Sequence, residues 1–371
     1  MKFSAGKVEL AERLQTVLAA VSMKTTLPIL GNILLRAEGE TVNLSATDLD
    51  LSITTSVSAK VGKPGMTTVP ARIFAEIIRE LPGDEVALSE QNNRMEIRAE
   101  RGVYKLSGMA ADEFPRLPQI KGGGHTTIPA AQLADMIKKV IYAVSTDETR
   151  PALNGVLWQA VGERMHMVAT DGHRLARYTV GDNRLLGVRD DLILPPKTLH
   201  LLAKMAADCE GDIEVTFGEK NIAFTLGPTT ITSRLIEGPY PNYEQVIPAA
   251  NDKLLRVDVE ELSAGVRRVA ILSNSLTRQV KFSLSKDGLE LSATNQDVGG
   301  EAKEKIPCEY SGEDLEIGYN AGYILDILKQ VDSQKVEFAL ATSISAGVIK
   351  AGDGPLRDNY FCLIMPLRLA D

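Results

Sequence analysis

Three stretches of the chain repeat one another at about a third of its length. Leu44-Ser45-Ala46-Thr47-Asp48, Met167-Val168-Ala169-Thr170-Asp171 and Leu291-Ser292-Ala293-Thr294-Asn295 place their alanines 123 and 124 residues apart. Val21-Ser22, Val144-Ser145 and Leu272-Ser273 each close an apolar helical stretch, and Phe114-Pro115 returns as Tyr240-Pro241. A fixed period marks a unit that has been copied and stacked. This period is far longer than a solenoid repeat, so each copy is domain-sized, and the 371 residues divide into three. Gly122-Gly123-Gly124 and Ala249-Ala250-Asn251-Asp252 are the best boundaries, giving domains at residues 1–123, 124–248 and 249–371.

With 44% hydrophobic and 24% charged residues, each third can build its own core. The chain has no run of about 18 apolar residues. Its start, Met1-Lys2-Phe3-Ser4, lacks a signal-peptide apolar region. Both features predict a cytoplasmic protein with no membrane partner. Cys209, Cys308 and Cys362 have neither paired nor metal-ligand spacing, which fits reduced thiols and no metal site. The formal net charge of −8 argues against coating nucleic acid by bulk attraction, but it leaves room for a segregated basic surface.

A shorter repeat lies inside the long one. Residues Thr67 to Ile78 match Thr126 to Ile137 at an offset of 59, each a β-rich run, a break, then apolar residues at helical spacing. Related passages begin near Phe3, Leu192, Leu255 and Ile317, so each third is a doubled unit. Leu10, Leu14, Val17, Leu18 and Val21 lie on one helical face, as do Leu133, Met136, Ile137, Val140, Ile141 and Val144, and Leu262, Val266 and Val269. Lys138, Lys139, Arg267 and Arg268 are expected on the opposite, polar faces. Alternating runs separated by turns such as Pro82-Gly83-Asp84 and Glu210-Gly211-Asp212 read as antiparallel hairpins. The class is α+β, helices on antiparallel sheets, with each domain a doubled β-α-β-β-β unit.

Three such domains in this length resemble the bacterial replicative sliding clamps, the beta subunits of DNA polymerase III. The motifs that carry the resemblance are Leu27-Pro28-Ile29-Leu30-Gly31-Asn32, Ala169-Thr170-Asp171-Gly172-His173-Arg174-Leu175-Ala176, Tyr240-Pro241-Asn242-Tyr243, Ile271-Leu272-Ser273-Asn274 and Met365-Pro366-Leu367-Arg368-Leu369. The resemblance implies a head-to-tail homodimer closed into a ring around duplex DNA, helices inside and sheets outside. It implies a non-enzymatic accessory subunit without cofactors, one that tethers the replicative polymerase for processivity. The clamp loader, other DNA polymerases and repair proteins would dock by clamp-binding peptides in a hydrophobic cleft. Joining the edge strands of the first and last domains removes edges that invite aggregation, and a heterologous contact whose rotation closes makes a ring.

Thr170-Asp171-Gly172-His173-Arg174 invites a hydrolase reading, with a carboxylate two residues from an imidazole. No nucleophile elbow, phosphate loop or His-x-x-x-His pattern completes it. Asp48 and Asn295 hold the same place in the other thirds, which favours a turn residue bonding local backbone amides. By the resemblance, the passage instead lines the peptide cleft, together with Leu153, Leu175, Pro241, Val246, Asn320, Tyr323, Ile344, Met365, Pro366, Leu367 and Arg368. Leu and Phe anchors of an extended peptide would bury there at roughly 1.5–3 kcal/mol each. Gln245 and Thr277 depart from the family pattern at the rim, so peptide preference would differ.

The resemblance also places Lys24, Arg72, Arg79, Arg150, Lys197 and Lys204 facing DNA, and Tyr104, Ile271 and Leu272 at the subunit contact. An acidic protein with a mildly basic hole makes sense if its grip is topological. Each phosphate contact adds a salt-dependent term and resists sliding, whereas encirclement needs none. No base-reading helix is present, so binding to duplex is expected to be independent of sequence.

Overall fold

The computed structural model describes residues 1–22, 26–100, 102–120, 124–181, 191–296, 298–354 and 356–369. They form two compact units, residues 1–132 with 200–235, and residues 133–199 with 236–371.

Six helices follow the sixfold reading: α1 (Lys7–Val17), α2 (Ala71–Glu80), α3 (Ala130–Val140), α4 (Pro196–Ala207), α5 (Val259–Ala270) and α6 (Ala321–Leu328). Five of them begin at the residue after a strand, and one residue, Pro195, precedes α4. So abrupt a start leaves the first amides without helical partners. The same solution recurs in each third. The first N–H of α1 donates to Asp84 O at 2.8 Å, that of α3 to Gly211 O at 2.9 Å, and that of α5 to Gln334 O at 2.9 Å. Asp258 and Asn320 add side-chain caps to α5 and α6. The buried faces are those the periodicity marks: Leu10, Leu14 and Val17 on α1; Leu133, Met136, Ile137 and Val140 on α3; Leu262, Val266 and Val269 on α5. One expected polar position differs. Lys139 is buried, at 1% exposure, because its ammonium donates to Gln330 O at 2.6 Å and pairs with Asp332.

The strands are antiparallel, and their sheets run across the thirds. In the first unit the long strand Leu51–Lys63 is the junction. Its C-terminal residues pair with Lys2–Ala5, while its N-terminal half lies between Thr41–Thr47 and Thr229–Ser233. Ile53 faces Ile231 across the second of those ladders, and Thr55 faces Thr229. In the second unit Arg174–Tyr178 pairs with Tyr360–Ile364, joining the four strands of the middle third to those of the last third in one nine-stranded sheet. A separate four-stranded sheet, ordered 300–306, 288–295, 279–285 and 315–320, backs α5 and α6. The three repeat alanines, Ala46, Ala169 and Ala293, are buried in strands.

The seam in the first unit contains a buried hydroxyl pair, Thr55 Oγ1 to Thr229 Oγ1, at 2.8 Å. Thr55→Val leaves the Thr229 hydroxyl without its partner and is expected to cost about 1–3 kcal/mol. The double change Thr55→Val with Thr229→Val should recover most of that loss. Urea unfolding of the three variants checks it; equal losses in the single and double variants would remove the hydroxyl pair as a stabilising element of the seam.

Candidate peptide-binding site

The Thr-Asp motif builds a tight turn, and the first and second thirds build it alike. Thr170 Oγ1 donates to Arg174 O at 2.7 Å and accepts from Gly172 N at 3.1 Å; Asp171 Oδ1 accepts from His173 N at 2.8 Å and Arg174 N at 2.9 Å. In the first third, Thr47 Oγ1 donates to Leu51 O at 3.1 Å and accepts from Leu49 N at 3.0 Å, while Asp48 Oδ1 accepts from Asp50 N at 3.1 Å and Leu51 N at 2.7 Å. The backbone matches as well. Gly172 has φ of 91° and Leu49, its counterpart, 83°. Glycine takes that left-handed conformation without strain, whereas leucine does not. Asp171 is therefore committed to its turn, and His173 stands exposed on it. The third copy departs: Asn295 Nδ2 donates to Ser273 O at 3.1 Å.

From this turn Arg174 reaches inward, and each of its three side-chain nitrogens donates a hydrogen bond. Its Nε donates to Asp171 at 3.1 Å, one terminal nitrogen to Asp326 at 2.8 Å and the other to Tyr142 O at 2.6 Å. The guanidinium lies over the Tyr323 ring at 4.3 Å and the Tyr142 ring at 5.3 Å. Arg174 is thus a fixed post that joins the turn to α6, with its charge already compensated. Asn320 is similarly engaged. Its Oδ1 caps α6 through Gly322 N and Tyr323 N, and its Nδ2 donates to Thr277 O at 3.0 Å.

The C-terminal segment is laid across the same place. Met365 N donates to His173 O at 2.7 Å, and Leu367 N to Gly318 O at 2.8 Å. Arg368 O accepts from Gln279 Nε2 at 3.2 Å. Pro366 and Leu367 are half-buried, whereas Met365 and Arg368 are exposed. Under the turn, Leu175 packs with Leu157, Val168, Tyr243 and Leu363, against which Tyr240 and Ile247 also lie. The structure thus brings Thr170, Gly172, His173, Arg174, Leu175, Tyr323 and the 365–368 segment together. Leu153 is buried beneath its own short 3-10 turn. Pro241, Val246 and Ile344 are exposed, Val246 at the end of the 3-10 helix Tyr243–Val246 and Ile344 in a turn, where both present apolar surface.

Arg72, Arg79, Lys197 and Lys204 are exposed on α2 and α4, with Arg79 beside Glu80. Arg150 is also exposed, but its side chain is tied to the cleft turn: Nε donates to Asp147 at 2.9 Å and a terminal nitrogen to Asp171 O at 3.3 Å. Lys24 lies outside the described residues, as do Gly122 and Gly123 of the first expected boundary. Tyr104 and Ile271 are exposed, and Leu272 is half-buried against Gly300.

Sequence reasoning missed the partners behind this surface. His166 is buried with Nδ1 3.3 Å from the Tyr243 hydroxyl, which donates to Gln159 at 3.0 Å. Burial, with Arg177 and Arg164 nearby, pulls the His166 pKa down from 6.5 to about 4, so the ring is neutral at physiological pH. Behind the seam, the Cys362 thiol lies 3.0 Å from the Tyr142 hydroxyl, and burial pushes its pKa up to about 11. Such a thiol is inert. No sequence signal marks these contacts, because each joins residues far apart in the chain.

A tripled α+β chain whose Asp171 serves a turn, with exposed apolar side chains beside its 365–368 segment, has the features of a binding surface and not those of a catalytic centre. Family profiles agree along its whole length. Residues 1–118 match the N-terminal domain of the DNA polymerase III beta subunit, 127–242 the central domain and 244–368 the C-terminal domain. The chain is 34% identical to the beta sliding clamps of Pseudomonas aeruginosa and Escherichia coli, covering all of both chains in each case. Among solved structures it resembles the sliding clamp of Pseudomonas aeruginosa bound to griselimycin (33% identity, TM-score 0.93) and that of Bartonella birtlesii bound to griselimycin (32%, 0.95), with full coverage of both chains. The chain belongs to the DNA polymerase III beta subunit family. It is a sliding clamp, a processivity factor with no catalytic role of its own.

Asp171→Ala removes the acceptor of two backbone amides, His173 N and Arg174 N, and one partner of the Arg174 side chain, and is expected to lower stability by about 1–3 kcal/mol. His173→Ala, at an exposed position, should stay within about 0.5 kcal/mol of the parent. Thermal unfolding of both checks the assignment. A destabilising His173 change beside a neutral Asp171 change would contradict it.

Proposed function

We propose that two copies close head to tail into a cytoplasmic ring, with three domains each at 1–123, 124–248 and 249–371, and that the ring is threaded by duplex DNA. The observation that carries ring closure is a pair of sheet edges. Strand Gly102–Ser107 ends the sheet path of the first unit, and strand Gly300–Ile306 ends the four-stranded sheet of the second. The first presents Val103 and Tyr104 to solvent; beside the second lie exposed Val298 and Ile271, with Leu272 packed on Gly300. An open edge carrying apolar side chains is an aggregation hazard unless a partner strand covers it. Tyr104 with Ile271 and Leu272 form that contact.

In the closed ring the helices line the hole, and Lys24, Arg72, Arg79, Arg150, Lys197 and Lys204 face the phosphates. The exposure of Arg72, Arg79, Lys197 and Lys204 on α2 and α4 supports this, and a net charge of −8 limits how tightly such residues hold. The outer cleft takes extended peptides of the replicative polymerase, the clamp loader, other DNA polymerases and repair proteins. Leu175, Leu153, Val246, Ile344 and Met365 supply its apolar surface. Pro241, Pro366, Leu367 and Arg368 frame it, while Thr170, Gly172, His173, Arg174, Asn320 and Tyr323 shape its wall.

Retention on DNA separates threading from adhesion. Loaded by its loader onto a nicked circle, the protein should stay bound through gel filtration in high salt and be lost once the circle is cut. Equal retention on circular and linear DNA would contradict threading.

A further inference from the structure

The first third carries a groove at a place that the second third fills. The groove encloses about 830 Å³ between strands Asn32–Glu38, Thr41–Thr47 and Leu51–Lys63 and the segment 111–119. The repeat aligns the two places residue by residue. Asn43 and Ser45 correspond to His166 and Val168, and their cross-strand partners Arg36 and Leu34 to Gln159 and Leu157. Phe114-Pro115-Arg116-Leu117 corresponds to Tyr240-Pro241-Asn242-Tyr243.

In the second third Tyr243 occupies the space. Its ring packs with Leu157 and Val168, and its hydroxyl meets Gln159 and His166. In the first third the corresponding residue is Leu117, shorter and without a polar tip. Leu34 and Leu117 stay half-buried, although Leu157 and Tyr243 are buried at 2% and 5% exposure. The polar positions have also changed character. Where the Tyr243 hydroxyl finds Gln159 and His166, the groove offers Arg36 and Asn43, with Arg116 on its rim. Among the described residues neither Arg36 nor Arg116 forms an ion pair, and Asp112 is the one carboxylate of the lining.

We propose that this groove is a second docking site, taking an extended acidic peptide segment of a partner protein anchored by a tyrosine side chain. The ring enters against Leu34, Phe114 and Leu117, and the phenol oxygen reaches Arg36 and Asn43. Flanking carboxylates pair with Arg36 and Arg116, whose charge attracts an acidic segment and discriminates against a basic one. The occupant is of the type that Tyr243 represents in the second third, here supplied from outside.

Fluorescence anisotropy on the full-length protein, without DNA, tests this. The probe is a fluorescein-labelled synthetic decapeptide with the sequence of residues 237–246, which contains Tyr240, Tyr243, Glu237 and Glu244. Saturable binding is expected, weakened at least about tenfold by Arg36→Glu and by a probe with both glutamates changed to lysine. Leu117→Tyr fills the groove from within, so it should abolish binding and raise the melting temperature. Absence of saturable binding, or binding unchanged in Arg36→Glu, would overturn the proposal. Arg36 is exposed, so that variant decides the matter even if Leu117→Tyr fails to fold.

Discussion

The strand pairings that cross the repeat boundaries hold each compact unit together. Leu51–Thr55 with Thr229–Ser233, and Arg174–Tyr178 with Tyr360–Ile364, turn neighbouring domains into continuous sheets. A hinge made of side-chain contacts alone would let tandem domains swivel, as modest interfaces between domains usually do. A backbone ladder does not, since a slip of one residue would turn every side chain to the wrong face. The middle third gives one group of strands to each neighbour, which is why its residues divide between the two compact units.

Within that frame, one repeated device serves different ends. The turn at Thr47-Asp48 and the turn at Thr170-Asp171 have the same hydrogen bonds, yet only the second is followed by an arginine that reaches two carboxylates and two aromatic rings. Replacing Leu49 by glycine at the matching position, Gly172, relieves the left-handed backbone and leaves the turn surface bare. The Arg150 side chain lies against that bare surface; a Cβ there would stand 3.0 Å from its nitrogen.

Local patterns were legible in the sequence. Periodic apolar residues marked the buried faces of α1, α3 and α5, and the recurrence of Asp48 and Asp171 identified a turn where a lone Asp-x-His would have suggested catalysis. Long-range partners were not legible. Lys139 reads as a solvent-facing helix residue until Asp332 and the Gln330 carbonyl, almost two hundred positions away, are brought to it. Arg174 reads as a polar group at the mouth of a cleft, but Asp326 and Tyr323 make it a fixed internal post. Which strand lies beside Leu51–Thr55 is likewise settled by the tertiary fold, because many threonine- and valine-rich runs would satisfy the same ladder.

A clamp of net charge −8 needs a reason to remain on DNA, and enclosure supplies one that strong phosphate contacts would defeat, since sliding requires that each contact be easily exchanged. In the ring proposed above, enclosure takes two chains, whose edge strands at 102–107 and 300–306 would cover one another. Sedimentation equilibrium of the purified protein, followed by imaging of the main species, is the most direct measurement. The result expected is twice the mass of 40.2 kDa and a closed ring with a hole wide enough for a double helix. A stable monomer, or a dimer without a central passage, would contradict it.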